Sequence, residues 1–294
     1  MSATEPVLTD APATTGRAGA PPRRRLSTRL LRSELRLIAG RRRNQMGLLV
    51  LAAVPVLIAV AVRISSPREG RGPDFLSSIT SNGLFVPLAA LSVELGLFLP
   101  LAIAMLAGDS VAGEANLGTL RYLLTVPVGR TRLLVTKYVF FMIGALWGVA
   151  VVVLAGSVAG IALFGTGPML TLSGTEIPFG SAVWRVVLVS LYIAAGLAAL
   201  GAVGLFISTL TEQPLAATVA LMIFTILSWI ADSVPQIAWL HPWLLVDQWM
   251  AFGDLLRDPP FWDNVSQGLW VDLAYAVVFG SLAWARFAGK DITS

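Results

Sequence analysis

The sequence predicts an all-α, polytopic membrane protein with six transmembrane helices, an N-terminal interfacial helix and short outer helices between spans five and six. Composition is the first observation behind this prediction. Of 294 residues, 56% are hydrophobic and 13% are charged, and the mean hydropathy is +0.76, whereas soluble domains carry about 25% charged residues. The second observation is that six apolar runs approach or reach the ~20 residues that cross a bilayer as a helix. These runs are residues 45–62, 83–107, 138–164, 184–207, 215–231 and 269–288.

Two segments of different character precede the first run. Residues 1–25 are rich in Ala, Thr and Pro and contain no apolar run, which predicts a disordered cytosolic tail. In residues 26–44, arginines cover one side of a helical wheel and aliphatic residues cover much of the other. This pattern predicts an amphipathic helix lying on the anionic inner leaflet, and a simple basic stop signal is the alternative. The arginines are Arg29, Arg32, Arg36 and Arg43. Nucleic-acid binding is not expected, because no aromatic or fold signature accompanies them.

The basic residues predict the orientation of the membrane domain, residues 45–288, and of the short tail, residues 289–294. Ten Lys or Arg precede the first run, four lie in residues 109–137 and two lie at the C-terminal end. The remaining five lie in or beside the other connections: Arg63, Arg68, Arg71, Arg185 and Arg257. Cytoplasmic loops carry the excess of positive charge. Both termini and residues 109–137 are therefore predicted to be cytoplasmic.

Residues 109–137, called the central segment below, form the charged stretch between the second and third runs. Asp109 or Ser110 can cap a helix start, and Glu114 lies where a helix N-terminus favours an acid. Leucines then recur at helical spacing, and Val126-Pro127 ends the pattern because proline disfavours helix in the residue before it. A short amphipathic helix is predicted, and an ordinary cytoplasmic loop is the alternative. The recurring leucines are Leu117, Leu120, Leu123 and Leu124.

Proline and glycine within the runs predict how the helices bend and pack. Pro55 in the first run, and Pro87 and Pro100 in the second, predict kinks. Small residues let membrane helices approach closely. Glycines in the third and fourth runs, Gly156, Gly160, Gly196, Gly201 and Gly204, are therefore predicted to pack helices together.

The connection between the fifth and sixth runs, residues 232–268, is called the outer segment. It contains five aspartates and four tryptophans. One or two short helices are predicted in the outer interface, with tryptophans at headgroup depth. These tryptophans either anchor the bundle or contact a substrate. They are Trp239, Trp243, Trp249 and Trp262.

Residue patterns for enzyme chemistry are absent from the sequence. The only Gly-Lys pair, Gly289-Lys290, is not part of a Walker A loop, so ATP binding by that route is excluded. There is no cysteine, and the single histidine, His241, cannot form a usual zinc site alone. No cofactor or metal is expected on this chain. A membrane-embedded enzyme would need paired catalytic groups at matched depth.

Glu94 is the one acid that the sequence places near the middle of a run. An ionised carboxylate at that depth costs at least a few kcal/mol. Glu94 is therefore expected to be protonated, hydrogen-bonded to a neighbouring helix or in contact with a water-filled path. The functional hypothesis is a place in a translocation pathway, and the alternative is a polar packing contact between helices.

The central segment resembles the cytoplasmic loop of ABC-2 type transporter permeases. In those proteins an acid, a Gly-Thr pair, a proline, an arginine and a lysine follow one another. The same order occurs here as Glu114, Gly118-Thr119, Pro127, Arg130 and Lys137. The resemblance extends over nearly all of the chain beyond residue 25, with residues 26–44 in the place of the family's connecting helix.

The resemblance implies a permease subunit of a bacterial ABC transporter in the plasma membrane, with export as the direction. It implies a separate ATP-binding subunit that carries ATP and Mg, and a second permease copy or paralogue. It also implies that Glu114 and Arg130 make polar contacts with the ATPase, while Gly118 and Pro127 shape the ends of the short helix. Leu120, Leu123 and Leu124 would fill a groove of the ATPase. A non-transporting membrane anchor or sensor that recruits a cytosolic partner is the alternative function.

Overall fold

The computed structural model describes residues 42–65, 82–116 and 130–289, with the backbone alone at residues 114, 115 and 130. Several predictions fall on other residues: the tail 1–25, the interfacial helix as far as residue 41, and the last five residues. The individually predicted residues that lie outside the described ranges are Arg29, Arg32, Arg36, Gly118, Thr119, Leu120, Leu123, Leu124 and Pro127.

Helices dominate the described chain, as the composition predicts. They are α1 (Arg42–Ser65), α2 (Phe85–Leu95), α3 (Phe98–Ala107), α4 (Gly113–Asn116), α5 (Arg130–Phe164), α6 (Phe179–Leu210), α7 (Pro214–Asp232), α8 (Leu245–Trp249) and α9 (Trp262–Ala288). A π-helical turn, Gly108–Ala112, joins α3 to α4. Three 3₁₀ helices lie in the outer segment, at Pro235–Ile237, His241–Trp243 and Met250–Leu256. A two-residue antiparallel pair, β1 (Met169–Leu170) and β2 (Glu176–Ile177), connects α5 to α6.

Five described helices are long and apolar enough to cross a membrane: α1, α5, α6, α7 and α9. The pair formed by α2 and the helix Phe98–Ala112 passes the same test together, with a bend of 56° between its halves. Counted as one broken span, this pair gives six. The all-α polytopic prediction is confirmed, and each predicted run lies in one of these elements. The helices extend beyond the runs, since α5, α6 and α9 begin five to eight residues earlier.

The bend between α2 and α3 has a local cause. The helix breaks at Gly96 and Leu97, and Leu97 leaves the helical region with φ −151°. Pro100, in the first turn of α3, has no N–H with which to bond the carbonyl of Gly96. The predicted interruption at Pro100 is therefore confirmed. The helix α1 continues through Pro55, where the kink stays a prediction. Pro87 lies in the first turn of α2, where no N–H is needed.

The central helix of the bundle is α6. In its most apolar 18-residue window 72% is buried, against 22% for α1, α7 and α9. Close packing of α6 depends on glycine. A Cβ on Gly201 would lie 2.9 Å from the Cβ of Phe141 in α5, and a Cβ on Gly204 would lie 2.7 Å from the Cβ of Ala107 in α3. The predicted packing role of the fourth-run glycines is confirmed.

A second close approach joins the start of α2 to the last turns of α5. A Cβ on Gly156 would lie 2.8 Å from the Cα of Pro87, and a Cβ on Gly160 would collide with the backbone of Gly83. Gly83 also donates its N–H to the carbonyl of Gly165 at 3.2 Å. These contacts confirm the packing role of the third-run glycines.

The outer connections are tied together by Arg185 near the start of α6. Its guanidinium donates to the carbonyls of Leu255 (2.8 Å) and Arg257 (2.9 Å). It also forms a 3.4 Å ion pair with Asp258. These bonds place the end of the Met250–Leu256 helix at the level of Arg185.

Trp249 departs from the prediction for the outer segment. Trp239 and Trp243 are 74% and 65% exposed, in keeping with interfacial positions, but Trp249 is 1% exposed. Its indole packs directly against Gly196, and a Cβ on that glycine would lie 2.7 Å from the indole nitrogen. Gly196 is eleven residues beyond Arg185, roughly 16 Å along α6. The prediction of headgroup depth is therefore wrong for Trp249. Because Gly196 has no side chain, the indole can pack within the bundle.

Candidate functional site

Both described ends of the central segment are helical continuations of neighbouring elements. The chain leaves α3, passes through the π turn Gly108–Ala112 and continues as α4 to Asn116. On the other side, α5 begins at Arg130 and runs without a break to Phe164. The expectation that Asp109 or Ser110 caps a helix start is wrong, because the backbone is already helical when it reaches them.

The π turn is held by a serine of α6. The backbone N–H groups of Val111 and Ala112 both donate to the Ser208 hydroxyl oxygen, at 3.1 and 3.0 Å. Ser208 is 0% exposed. A π turn changes the regular i→i−4 bonding of a helix and is frequent at functional sites. Here two backbone N–H donors of the turn bond to the Ser208 side chain, which lies 97 and 96 residues after them in the sequence.

Two basic side chains contact the π turn from other helices. Arg43 of α1 forms an ion pair with Asp109. Lys137 of α5 is 3% exposed and donates to the carbonyl of Ser110 at 3.4 Å. The Arg43 side chain is 51% exposed within its ion pair, so its predicted contact with the inner leaflet stays a prediction.

The start of α7 packs directly on the π turn. A Cβ on Gly108 would lie 2.5 Å from the carbonyl oxygen of Pro214 and would collide with the Thr218 hydroxyl. That hydroxyl donates to the carbonyl of Ala104 in α3 at 3.1 Å. The π turn thus contacts four other helices, α1, α5, α6 and α7. The inner junction, as we call it, comprises Gly108–Ala112, Arg43, Lys137, Ser208 and Pro214.

The predicted site residues of the central segment are placed only in part. Glu114 lies in α4 and Arg130 is the first residue of α5, each described by backbone alone. What the sequence did not predict is the inner junction itself. Its contacts join residues that are far apart in the sequence, and no local sequence pattern indicates such contacts.

Glu94 lies beside the bend between α2 and α3 and is 0% exposed. Neither of its carboxylate oxygens has a hydrogen-bond partner among the described residues. Of the three states expected from the sequence, a hydrogen bond to a neighbouring helix is therefore not found in this part of the chain. A protonated carboxyl group and contact with a water-filled path stay predictions.

Asp272 is a second buried acid, and the sequence analysis missed it. It is 6% exposed, and its Oδ1 has no hydrogen-bond partner among the described residues. The indole nitrogen of Trp249 is likewise unpartnered, and both atoms lie within 4 Å of the position of a Cβ on Gly196. The predicted run 269–288 placed Asp272 at its edge, whereas α9 begins at Trp262 and carries Asp272 inward. Gly268, four residues earlier on the same helical face, packs against Tyr192 of α6, and this glycine was the available signal that the face is buried.

No three His, Asp or Glu side chains come together as metal ligands within residues 42–65, 82–116 and 130–289. The buried acids of this part of the chain are thus isolated groups on separate helices.

Together these features define a polytopic α-helical membrane protein with buried carboxylates and a charged segment between its second and third spans. The model of the family described as ABC-2 family transporter protein matches residues 40–228, more than half of the chain. This chain belongs to that family and is a membrane permease of the ABC-transporter class, a transport subunit. Permeases of this family generally work with an ATP-binding subunit. A search of curated proteins found no match.

Proposed function

We propose that this chain is the permease subunit of a bacterial ABC exporter and that a separate ATPase acts on its central segment. ATP and Mg²⁺ would be bound by that partner. The observation that carries the proposal is the inner junction, which bonds the base of the central segment to α1, α5 and α6 and packs it against α7. The family match supports the permease role.

Movement of the central segment would be transmitted into the membrane domain by the helices attached to its two ends, α3 and α5. The helix α5 has 35 residues and is roughly 50 Å long, which exceeds the ~30 Å hydrocarbon core. On the other side, the π turn and α4 extend α3. Displacement of residues 113–130 by the ATPase would therefore shift α3 and α5, and the Ser208 bonds would carry the shift to α6.

The bend between α2 and α3 is where such a shift would change a translocation path. The two helices meet at 56°, and Glu94 lies within two residues of the break. Motion of α3 against α2 would alter the surroundings of the Glu94 carboxyl group. This geometry supports the hypothesis that Glu94 contacts cargo or water during transport.

Co-purification tests the coupling. The wild-type chain is expected to retain its ATPase through solubilisation, and Glu114→Gln is expected to lose at least half of it. Glu176→Gln is the matched control, since Glu176 lies on β2 at the opposite end of the bundle. An ATPase recovered equally well with a chain lacking residues 117–129 would refute the coupling assignment.

Liposomes containing both subunits test transport itself. ATP-dependent movement of a candidate substrate supports the exporter. ATPase binding with no ATP-dependent transport of any candidate would instead indicate the non-transporting anchor or sensor. The same preparation reports whether two permease copies, or a copy and a paralogue, form the unit.

A further inference from the structure

A cavity of about 410 Å³ lies between α1, α3 and α5, with Leu197 of α6 also in its wall, and neither Glu94 nor Asp272 lines it. We propose that it binds one acyl chain of an anionic phospholipid as a structural lipid of this permease. The lipid would belong to the leaflet at the amino-terminal end of α1, which is the cytosolic leaflet in the proposed orientation. This inference goes beyond the coupling function and does not depend on an ATPase.

The wall of the cavity is apolar over almost its whole length. Leu48 and Leu51 of α1, Ile103 of α3 and Phe140 of α5 are among the residues that form it. Its two amide side chains, Asn44 and Gln45, both lie at the amino-terminal end of α1. Ligand pockets of this type bury a hydrophobic body and place few polar groups at one end.

The depth of the cavity matches one leaflet. On α1 its lining runs from Asn44 to Leu51, and on α5 from Phe140 to Gly148. The first and last of these residues are seven positions apart on α1 and eight on α5, which corresponds to about 10–12 Å of helix. Half of a ~30 Å hydrocarbon core is ~15 Å, so the cavity extends from the headgroup level towards the bilayer centre without crossing it.

The surroundings of the cavity favour hydrocarbon over water. Trp147, which lines it, is 59% exposed, and Leu49, in the same turn of α1 as lining residues, is 60% exposed. In a membrane helix such side chains face lipid. Because apolar cavities do not hold ordered water, an acyl chain from the adjoining leaflet is the fitting occupant.

Charge at the polar end selects the headgroup. Arg42 is exposed and lies two residues before Asn44, and Arg43 keeps half of its side chain exposed beside Asp109. Basic residues at this level attract anionic lipid headgroups. An anionic phospholipid can therefore place its phosphate near Arg42 while one acyl chain fills the cavity.

Two glycines allow a matched test. Gly47 lines the cavity, and a Cβ there would meet no atom within 4 Å. Gly47→Leu should thus fill the cavity without disturbing the helices. Gly280 of α9 is also helical, and a Cβ placed on it would meet no atom within 4 Å. It does not line the cavity, so Gly280→Leu is the control.

Native mass spectrometry of the full chain from nanodiscs tests the proposal. The discs contain equal amounts of phosphatidylglycerol and phosphatidylcholine with identical acyl chains. Wild type and Gly280→Leu are expected to retain one phospholipid per chain, predominantly phosphatidylglycerol. Gly47→Leu is expected to retain about tenfold less at the same lipid concentration, a 1.4 kcal/mol change. Arg42→Gln is expected to keep the lipid but lose the preference for phosphatidylglycerol.

Equal retention by Gly47→Leu and wild type, or no retained lipid in wild type, would overturn the proposal. Loss of a dimer in Gly47→Leu alone would also overturn it and assign the cavity to contact between copies. If Gly47→Leu does not fold, Gly148→Met repeats the test, because its Cβ would make only ordinary contacts of 3.6 and 3.8 Å. The measurement uses neither ATP nor transport, so its failure is distinct from failure of the exporter hypothesis.

Discussion

Glu94 and Asp272 are the residues whose burial most needs a physical explanation. A charged side chain at the bilayer centre costs about 2.5–3.5 kcal/mol on insertion scales. Both carboxyl groups are at least nine-tenths buried, and three of their four oxygens have no hydrogen-bond partner within the described ranges. Buried acids without partners for their oxygens are candidates for a functional role, and for Glu94 the role that we propose is contact with the translocation path.

Replacing Glu94 separates transport from folding. We expect Glu94→Gln to lower ATP-driven transport about tenfold, a change of about 1.4 kcal/mol in the barrier. Membrane insertion and melting temperature should match or exceed those of wild type, because no partnered group is lost. Transport into liposomes and thermal melting are the measurements, with Glu176→Gln as control. Unchanged transport would remove Glu94 from the pathway.

Asp247, in the outer segment, predicts a pH dependence of stability. Burial raises the pKa of its carboxyl group, the nearby Asp232 raises it further, and His241 opposes the rise. The folded-state pKa thus lies above the ordinary value of about 3.9. The stability that protonated Asp247 contributes is complete below that ordinary value and is lost as pH rises through the raised one.

The melting temperature of the purified chain should therefore fall as pH increases across that interval. Asp247→Asn should flatten this part of the profile, since the side chain no longer ionises. The exposed Asp263 supplies the control Asp263→Asn, whose profile should follow wild type. A profile of Asp247→Asn that keeps the wild-type slope would contradict the assignment.

At the scale of elements, the π turn depends on one side chain of α6. Ser208→Ala would leave the N–H groups of Val111 and Ala112 without their bond to the Ser208 hydroxyl. Each unsatisfied buried donor costs about 1–3 kcal/mol, so we expect a loss of about 2 kcal/mol or more. Coupling between ATP hydrolysis and transport should weaken with it.

Ser190 on the same helix is the matched control. Its hydroxyl donates to the carbonyl of Val186, one turn earlier in α6. Ser190→Ala should stay within about 0.5 kcal/mol of wild type. Denaturation of both variants in detergent measures the difference, and equal stability would show that the π turn does not need Ser208.

The helical elements follow closely from the sequence, but their contacts do not. The apolar runs predicted each span, and Pro100 predicted the break of the second. The inward depth of Trp249 was not predictable, because the apolar face that Trp249 shares with Leu245 and Leu256 indicates burial but does not specify which helix covers it. Gly196 decides that position, and nothing near Trp249 in the sequence indicates it.

At the scale of the whole molecule, the orientation predicted from the basic residues can be tested by labelling. The chain has no cysteine, so single cysteines report their own side of the membrane. We expect an impermeant maleimide to label Ser173→Cys in intact cells and Arg121→Cys only after lysis. Excess positive charge on cytoplasmic loops is the physical reason. The reverse pattern would place the central segment outside the cell and remove the proposed ATPase contact.

The sequence by itself determined the class of this protein, its spans and the charged segment between the second and third. It could do so because a bilayer forces each span to satisfy its own backbone within about 20 apolar residues, which is a local requirement. Only the tertiary structure decided that Asp272 is buried, that Trp249 points inward and that Ser208 holds the π turn. Those outcomes depend on pairs such as Val111 and Ser208, 97 residues apart, which meet only when the helices pack.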